Sequence, residues 1–126
     1  MGLPGITGSE IRGEGSGPMN DLYTYIEDLA THAPVPENGI LSRTIQNDER
    51  TKVIVFGFAP GQELSAHTAP FPAMIYIVEG EAELRLGADT RTARAGAFAY
   101  MTSHLEHGIH AKTKVVMLLT MVKDRS

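Results

Sequence analysis

A chain of 126 residues, 42% hydrophobic and 21% charged, has room for one compact domain with one core and not for two. Its net charge of −4, with no Lys/Arg cluster, excludes the concentrated basic surface that nucleic acid requires, and the lack of cysteine excludes disulfides, thiolate zinc sites and cysteine nucleophiles together. No stretch approaches the roughly 18–20 apolar residues of a membrane-spanning helix and no basic flank precedes an apolar run at the N-terminus, so a cytoplasmic protein without membrane or nucleic-acid partners is expected.

Residues 1–18 carry glycine at positions 2, 5, 8, 13, 15 and 17 and follow neither a helical nor a strand period. They are expected to form a flexible leader ahead of a single domain spanning 19–126. From there Leu22, Tyr23, Ile26, Leu29 and Ala30 fall on one helical face, with Asn20 or Asp21 placed to cap the first turn. The pattern predicts one short amphipathic helix packed on the domain. Pro34, Pro36, Asn38 and Gly39 then stop it.

Everything that follows reads as β. Strands are expected at Ile40–Ile45, Lys52–Phe58, Ala73–Val78, Ala82–Leu86, Thr92–Ala95, Phe98–Met101 and Thr113–Val122, with turns at Asn47–Glu49, Pro60–Gly61, Glu79–Gly80, Gly87–Asp89 and Ala95–Gly96. Seven or more short strands joined by tight turns imply a sandwich or barrel. Alternation in residues 81–86 puts Ala82, Leu84 and Leu86 inward and the charges of Glu81, Glu83 and Arg85 outward. Met74–Val78 and Val115–Val122 are instead apolar on both faces, which calls for cover on the second face by another sheet or subunit. A homodimer is the expectation from that pattern.

Two spaced motifs carry a family resemblance. Gly61, then after five residues His67, followed by Ala69, Ala73 and Gly80, resembles the first cupin motif, G-x5-HxH-x3-E-x6-G. Gly96, then after five residues Thr102, followed by His104, His107 and Ala111, resembles the second, G-x5-P-x-G-x2-H-x3-N, and 15 residues separate the two. The stretch Ser65–Glu83 and Leu118–Met121 are similar to a subgroup of small cupins that lack the second histidine and are mostly of unassigned function. The resemblance covers roughly residues 40–122 and implies an all-β double-stranded β-helix, the cupin or jelly-roll barrel, here with a short N-terminal helix.

The resemblance also implies where a metal would sit, since the family takes its ligands from both histidines and the glutamate of the first motif and the histidine of the second. Only His67 and His107 keep a ligand at those positions; Ala69 and Ala73 replace the other two. Two imidazoles without a carboxylate bind metal weakly and select poorly. No cofactor is therefore certain, and a weakly held divalent ion (Zn, Ni, Fe or Mn) on His67 and His107 is what the site would support. Strand alternation places His67 with Ala69, and His107 with Ile109 and Ala111, while His110 points the other way. His104 occupies a turn position where glycine or asparagine is usual.

Bland and functional readings stand side by side for these residues. His67 and His107 are either core histidines satisfied by backbone or a pair that binds an anion or enol, acts as acid and base, or holds a weak metal. Ala69 and Ala73 either pack the interior or open room for a ligand, and Phe71, between Pro70 and Pro72, is either a wedge in a stiff turn or an aromatic at the pocket mouth. Glu63, Glu79 and Glu106 are expected to be solvated acids. No P-loop, dinucleotide fingerprint, G-x-S-x-G or HExxH motif is present. The expected function is binding of a small, anionic or carbonyl-bearing molecule in a pocket of His67, His107, Ala69, Ala73, His104 and Phe71. The alternative is a weakly metal-dependent enzyme of isomerase, lyase or dioxygenase type using His67 and His107.

Overall fold

The computed structural model describes residues 22–123. The expected leader at 1–18 and the capping positions Asn20 and Asp21 lie outside the described residues. One helical turn, α1 (Leu29–His32), is followed by β1 (Ile40–Asn47), β2 (Thr51–Phe58), β3 (Glu63–His67), β4 (Ala73–Glu79), β5 (Glu81–Leu86), β6 (Asp89–Arg94), β7 (Phe98–Met101), β8 (His107–Ala111) and β9 (Val115–Val122). The strands form a five-stranded sheet in the order β1-β2-β9-β4-β7 and a four-stranded sheet in the order β3-β8-β5-β6, and every pairing is antiparallel.

The helix is shorter than the apolar stripe suggests: residues 22–28 are not helical, and Leu22, Tyr23 and Tyr25 are exposed. A nine-residue stripe that opens on Leu22-Tyr23-Thr24-Tyr25 falls below the length at which helix formation offsets its nucleation cost without a packed face. The turn that does form starts at Asp28, whose side chain accepts from the Ala30 N–H.

Between the sheets lies one core, with Phe58, Ile77, Ala82, Ala111 and Val115 fully buried and Met101 and Met117 nearly so. Each large side chain removed from water there contributes about 1.5–3 kcal/mol. Ala82 and Leu84 face inward as alternation requires, while the outer side of the four-stranded sheet carries ion pairs: Glu81 with Arg94 (3.6 Å) and Lys112 (3.7 Å), and Glu83 with Lys112 (3.2 Å). The five-stranded sheet differs. Part of its outer face is covered by the chain's own N-terminal segment, where Ala33 and Val35 pack on Val55, Val78, Val116 and Leu118 in a second small core.

Turn chemistry closes the strand pairs. Gly61, Gly80, Gly87 and Gly96 all adopt positive φ at the positions where the sequence demands it. At the β1–β2 turn, Asp48 accepts from the N–H groups of Arg50 (2.8 Å) and Thr51 (2.9 Å) and from the Gln46 side-chain amide (3.0 Å). These bonds, the one from Gln46 first, pull its carboxyl from 3.8 down to about 2. Because the folded value lies below the unfolded one, the contribution of Asp48 is complete above about pH 4 and disappears as pH falls through 2. Asp48→Asn is expected to flatten the loss of stability across that window, measured as urea midpoints at about pH 5 and about pH 2.5.

Candidate ligand site

The two strands that carry the motif histidines, β3 and β8, pair with each other at one edge of the four-stranded sheet. Leu64 opposes Ile109, and His67 opposes His107. Two residues lie between Leu64 and His67 while only one lies between His107 and Ile109, so β3 holds one extra residue, a β-bulge at Ser65–Ala66. The bulge decides the chemistry. In a regular strand Leu64 and His67 would face opposite sides; the extra residue brings His67 back to the side of Leu64, which packs on the core.

His107 lies on the same inner row. It shares a face with buried Ile109 two residues on, and its other cross-strand neighbour is Leu86, which also packs on the core. The rings of His67 and His107 stand with centroids 4.5 Å apart and planes inclined by 54°. His67 is exposed and His107 half-buried, so the pair stands at the open end of the barrel and not in its packed centre.

Both rings are oriented in the same way. Nδ1 of His67 lies 2.9 Å from the Ser65 carbonyl, and Nδ1 of His107 lies 2.9 Å from the Leu105 carbonyl. A carbonyl oxygen can only accept, so each Nδ1 carries a proton and donates it. Nε2 of each ring is left without a hydrogen-bond partner among the described residues. Two backbone anchors thus fix two imidazoles whose remaining nitrogens are available to a third group.

Sequence reasoning missed Gly108, which makes the bulge possible. A Cβ there would meet the Leu64 carbonyl oxygen at 2.9 Å, the Ala66 nitrogen at 3.0 Å and the Ala66 Cα at 3.1 Å, all of them backbone. The clue lay in His107-Gly108-Ile109-His110, where glycine sits between alternating side chains inside a strand, a position that often marks a bulge or a close backbone approach.

The remaining candidates are distributed unevenly. His104 is exposed, adopts φ 70°, and donates its backbone N–H to the Ala69 carbonyl at 2.7 Å, fastening the β7–β8 connection to the β3–β4 connection. Ala69 and Phe71 are half-buried in the β3–β4 connection, and Ala73 is packed in the core opposite Met101. His110 faces outward between Glu63 and Glu83. Glu79 and Glu106 are surface acids within 3.8 Å of Lys114 and Arg85 respectively. A shallow open depression lined by Glu63, Glu83, Arg85 and His110 lies on the outer side of this sheet and takes in neither motif histidine.

The donor set does not fit a resident metal ion. The Nδ1 anchoring is the kind that orients ligating imidazoles. However, a stable site needs three or four donors, and among the described residues no three His, Cys, Asp or Glu side chains come together. Ala69 and Ala73 supply none.

Comparison with known proteins places the architecture. No curated protein matches the sequence. A conserved protein of unknown function from Streptococcus pyogenes is similar in structure at 28% identity and a TM-score of 0.75, over 85% of this chain and 94% of that one. A cupin superfamily protein from Desulfitobacterium hafniense gives 24% and 0.73 over 76% and 88% of the two chains, and an RmlC-like cupin from Shewanella frigidimarina gives 20% and 0.67 over 91% and 95%. These two likenesses establish the fold alone. Among the described residues no helix is long and apolar enough to cross a membrane. Residues 54–123 match the cupin domain family Cupin_2, and with its two antiparallel sheets and paired motif strands the chain belongs to that family.

Proposed function

We propose that the protein binds a small anionic or carbonyl-bearing organic molecule at the barrel mouth, between His67 and His107. The observation that carries this reading is the pair itself: two imidazoles 4.5 Å apart, each fixed by a backbone carbonyl at Nδ1 and each with Nε2 unengaged among the described residues. Histidines kept only for packing would be buried, whereas no polar side chain is buried among the described residues and His67 is exposed. A ligand oxygen between the rings takes a hydrogen bond from a protonated Nε2 or gives one to a neutral Nε2, so the pair serves carboxylates, enols and carbonyls alike. In this reading Ala69 and Phe71, both half-buried in the β3–β4 connection that follows His67, are assigned to the lining of the site.

The test is an NMR titration of the histidine ring protons with acetate, pyruvate and acetylacetone as probes. At least one probe is expected to move the His67 and His107 resonances together while leaving His110 unmoved. If none of the three moves either ring at about 10 mM, a concentration that detects even millimolar affinity, the reading fails.

The second reading, a weakly metal-dependent cupin enzyme, draws on the Nδ1 anchoring. It requires about one divalent ion per untagged chain to survive dialysis, measured by elemental analysis. A substoichiometric metal content favours the binding module.

A further inference from the structure

The two carbonyls that anchor the histidine pair are held differently. Ser65, whose carbonyl accepts from His67, lies in the bulge of β3, between the Leu64 and Ala66 backbone that packs against Gly108. Leu105, whose carbonyl accepts from His107, precedes β8 and belongs to no strand. A carbonyl outside a ladder turns more freely than one inside it, so it orients a ring only where neighbouring groups hold its peptide.

The groups that hold it converge on Glu106. The Glu106 carbonyl accepts from the Gly87 N–H at 2.7 Å. Arg85 Nε donates to the Gly87 carbonyl at 2.6 Å, and Arg85 Nη2 stands 3.8 Å from Glu106 Oε1. One guanidinium therefore ties together two residues that a backbone bond already joins, directly beside the Leu105 carbonyl. The planar fork of arginine serves two acceptors at once, which an ammonium on a flexible stem does less well.

We infer that Arg85 is a positioning residue for His107: from the outer side of the four-stranded sheet it steadies the 105–106 peptide, so that the Leu105 carbonyl keeps the ring proton on Nδ1 and leaves Nε2 free. Arg85 opposes Gly108 in the ladder and Leu86 opposes His107, so an outward and an inward side chain of β5 flank the same histidine. The Arg85 side chain is 48% exposed and its ion pair is long, so it adds little to stability. Its effect falls on orientation, because the tautomer of an imidazole is set by the bond that its other nitrogen makes. Only the effect on affinity rests on the binding role proposed above; the tautomer belongs to the ligand-free protein.

The experiment is two-bond proton–nitrogen correlation spectroscopy of the histidine rings in the isotope-labelled full chain, above the end of each ring's own titration. Both wild-type rings are expected in the Nδ1–H form. In Arg85→Gln the ratio of Nδ1–H to Nε2–H at His107 falls about 3- to 10-fold, the size of one lost hydrogen bond, while the ratio at His67 stays. Glu106→Gln, which loosens the other end of the same contact, lowers the His107 ratio in the same direction. Arg94→Gln, which removes another ion-paired arginine of this sheet, changes neither ring. Arg85→Gln melts within about 3 °C of the wild type. A folded Arg85→Gln protein in which His107 keeps its wild-type ratio overturns the inference, and so does an equal fall at His67, the mark of a general loosening. Titration with acetate, pyruvate and acetylacetone adds the effect on affinity: the probe that moves the pair in the wild type binds Arg85→Gln about 3- to 10-fold more weakly. If no probe binds the wild type, the binding role fails, and the tautomer ratio alone still decides the part played by Arg85.

Discussion

Gly108→Val is expected to lower stability by about 2–4 kcal/mol, a fall in melting temperature of roughly 10–20 °C. The reason is local. The three atoms nearest a Cβ added at 108 all belong to the backbone of Leu64 or Ala66, so no rotamer change relieves those contacts and the bulged strand itself has to move. Gly108→Ala, adding a single carbon at 2.9–3.1 Å from those atoms, should fall between Val and wild type. Because the bulge sets the facing of His67, the ring-to-ring nuclear Overhauser contacts of the histidine pair should weaken in step with stability. A Gly108→Val protein melting within about 3 °C of the wild type would show that β3 accommodates bulk there and that the bulge is not tied to this glycine.

The second large effect is a separation of binding from stability. His67→Ala removes an exposed side chain with a single backbone hydrogen bond, and the expected cost is under about 1 kcal/mol. Binding of whichever probe engages the pair should weaken about 10- to 100-fold, the size of one lost hydrogen bond to a charged group. His107→Ala should behave alike in binding but cost somewhat more stability, because that ring is half-buried beside Leu86. His110→Ala, on the outer side of the same strand, should change neither. The measurements are urea denaturation and isothermal calorimetry on the same preparations. Loss of more than about 2 kcal/mol in His67→Ala, with binding intact, would reassign the histidines to structural support.

The barrel was legible for reasons that are local and strong. Positive-φ turns favour glycine, and Gly61, Gly80, Gly87 and Gly96 stand at the ends of alternating or β-branched runs, so most strands and their antiparallel linkage follow from spacing. The strands bearing the site were the least legible. Glu63-Leu-Ser-Ala-His67 and His107-Gly-Ile-His-Ala111 are poor in β-branched residues, and neither stands out as a strand by composition, although the two pair with each other in the sheet around the bulge. The helix was over-read in the opposite sense: a 3.6-residue stripe is present over 22–30, but only Leu29–His32 turns helical. For the two-faced apolar strands, periodicity showed that cover was needed but not its source, and the segment around Ala33 and Val35 supplies part of it through contacts remote in sequence. Which histidines meet was legible from motif spacing; how they face each other was not, since it depends on an unpaired residue that alternation cannot reveal.

That extra residue makes the constellation a matter of counting as well as of identity. Deleting Ser65 or Ala66 would leave every functional side chain in the gene and restore an unbroken ladder, yet it would rotate the first imidazole out of the barrel and leave its partner alone. Gain or loss of this arrangement is thus one codon away, and a protein with the same histidines but a strand one residue shorter would carry the motif without the encounter.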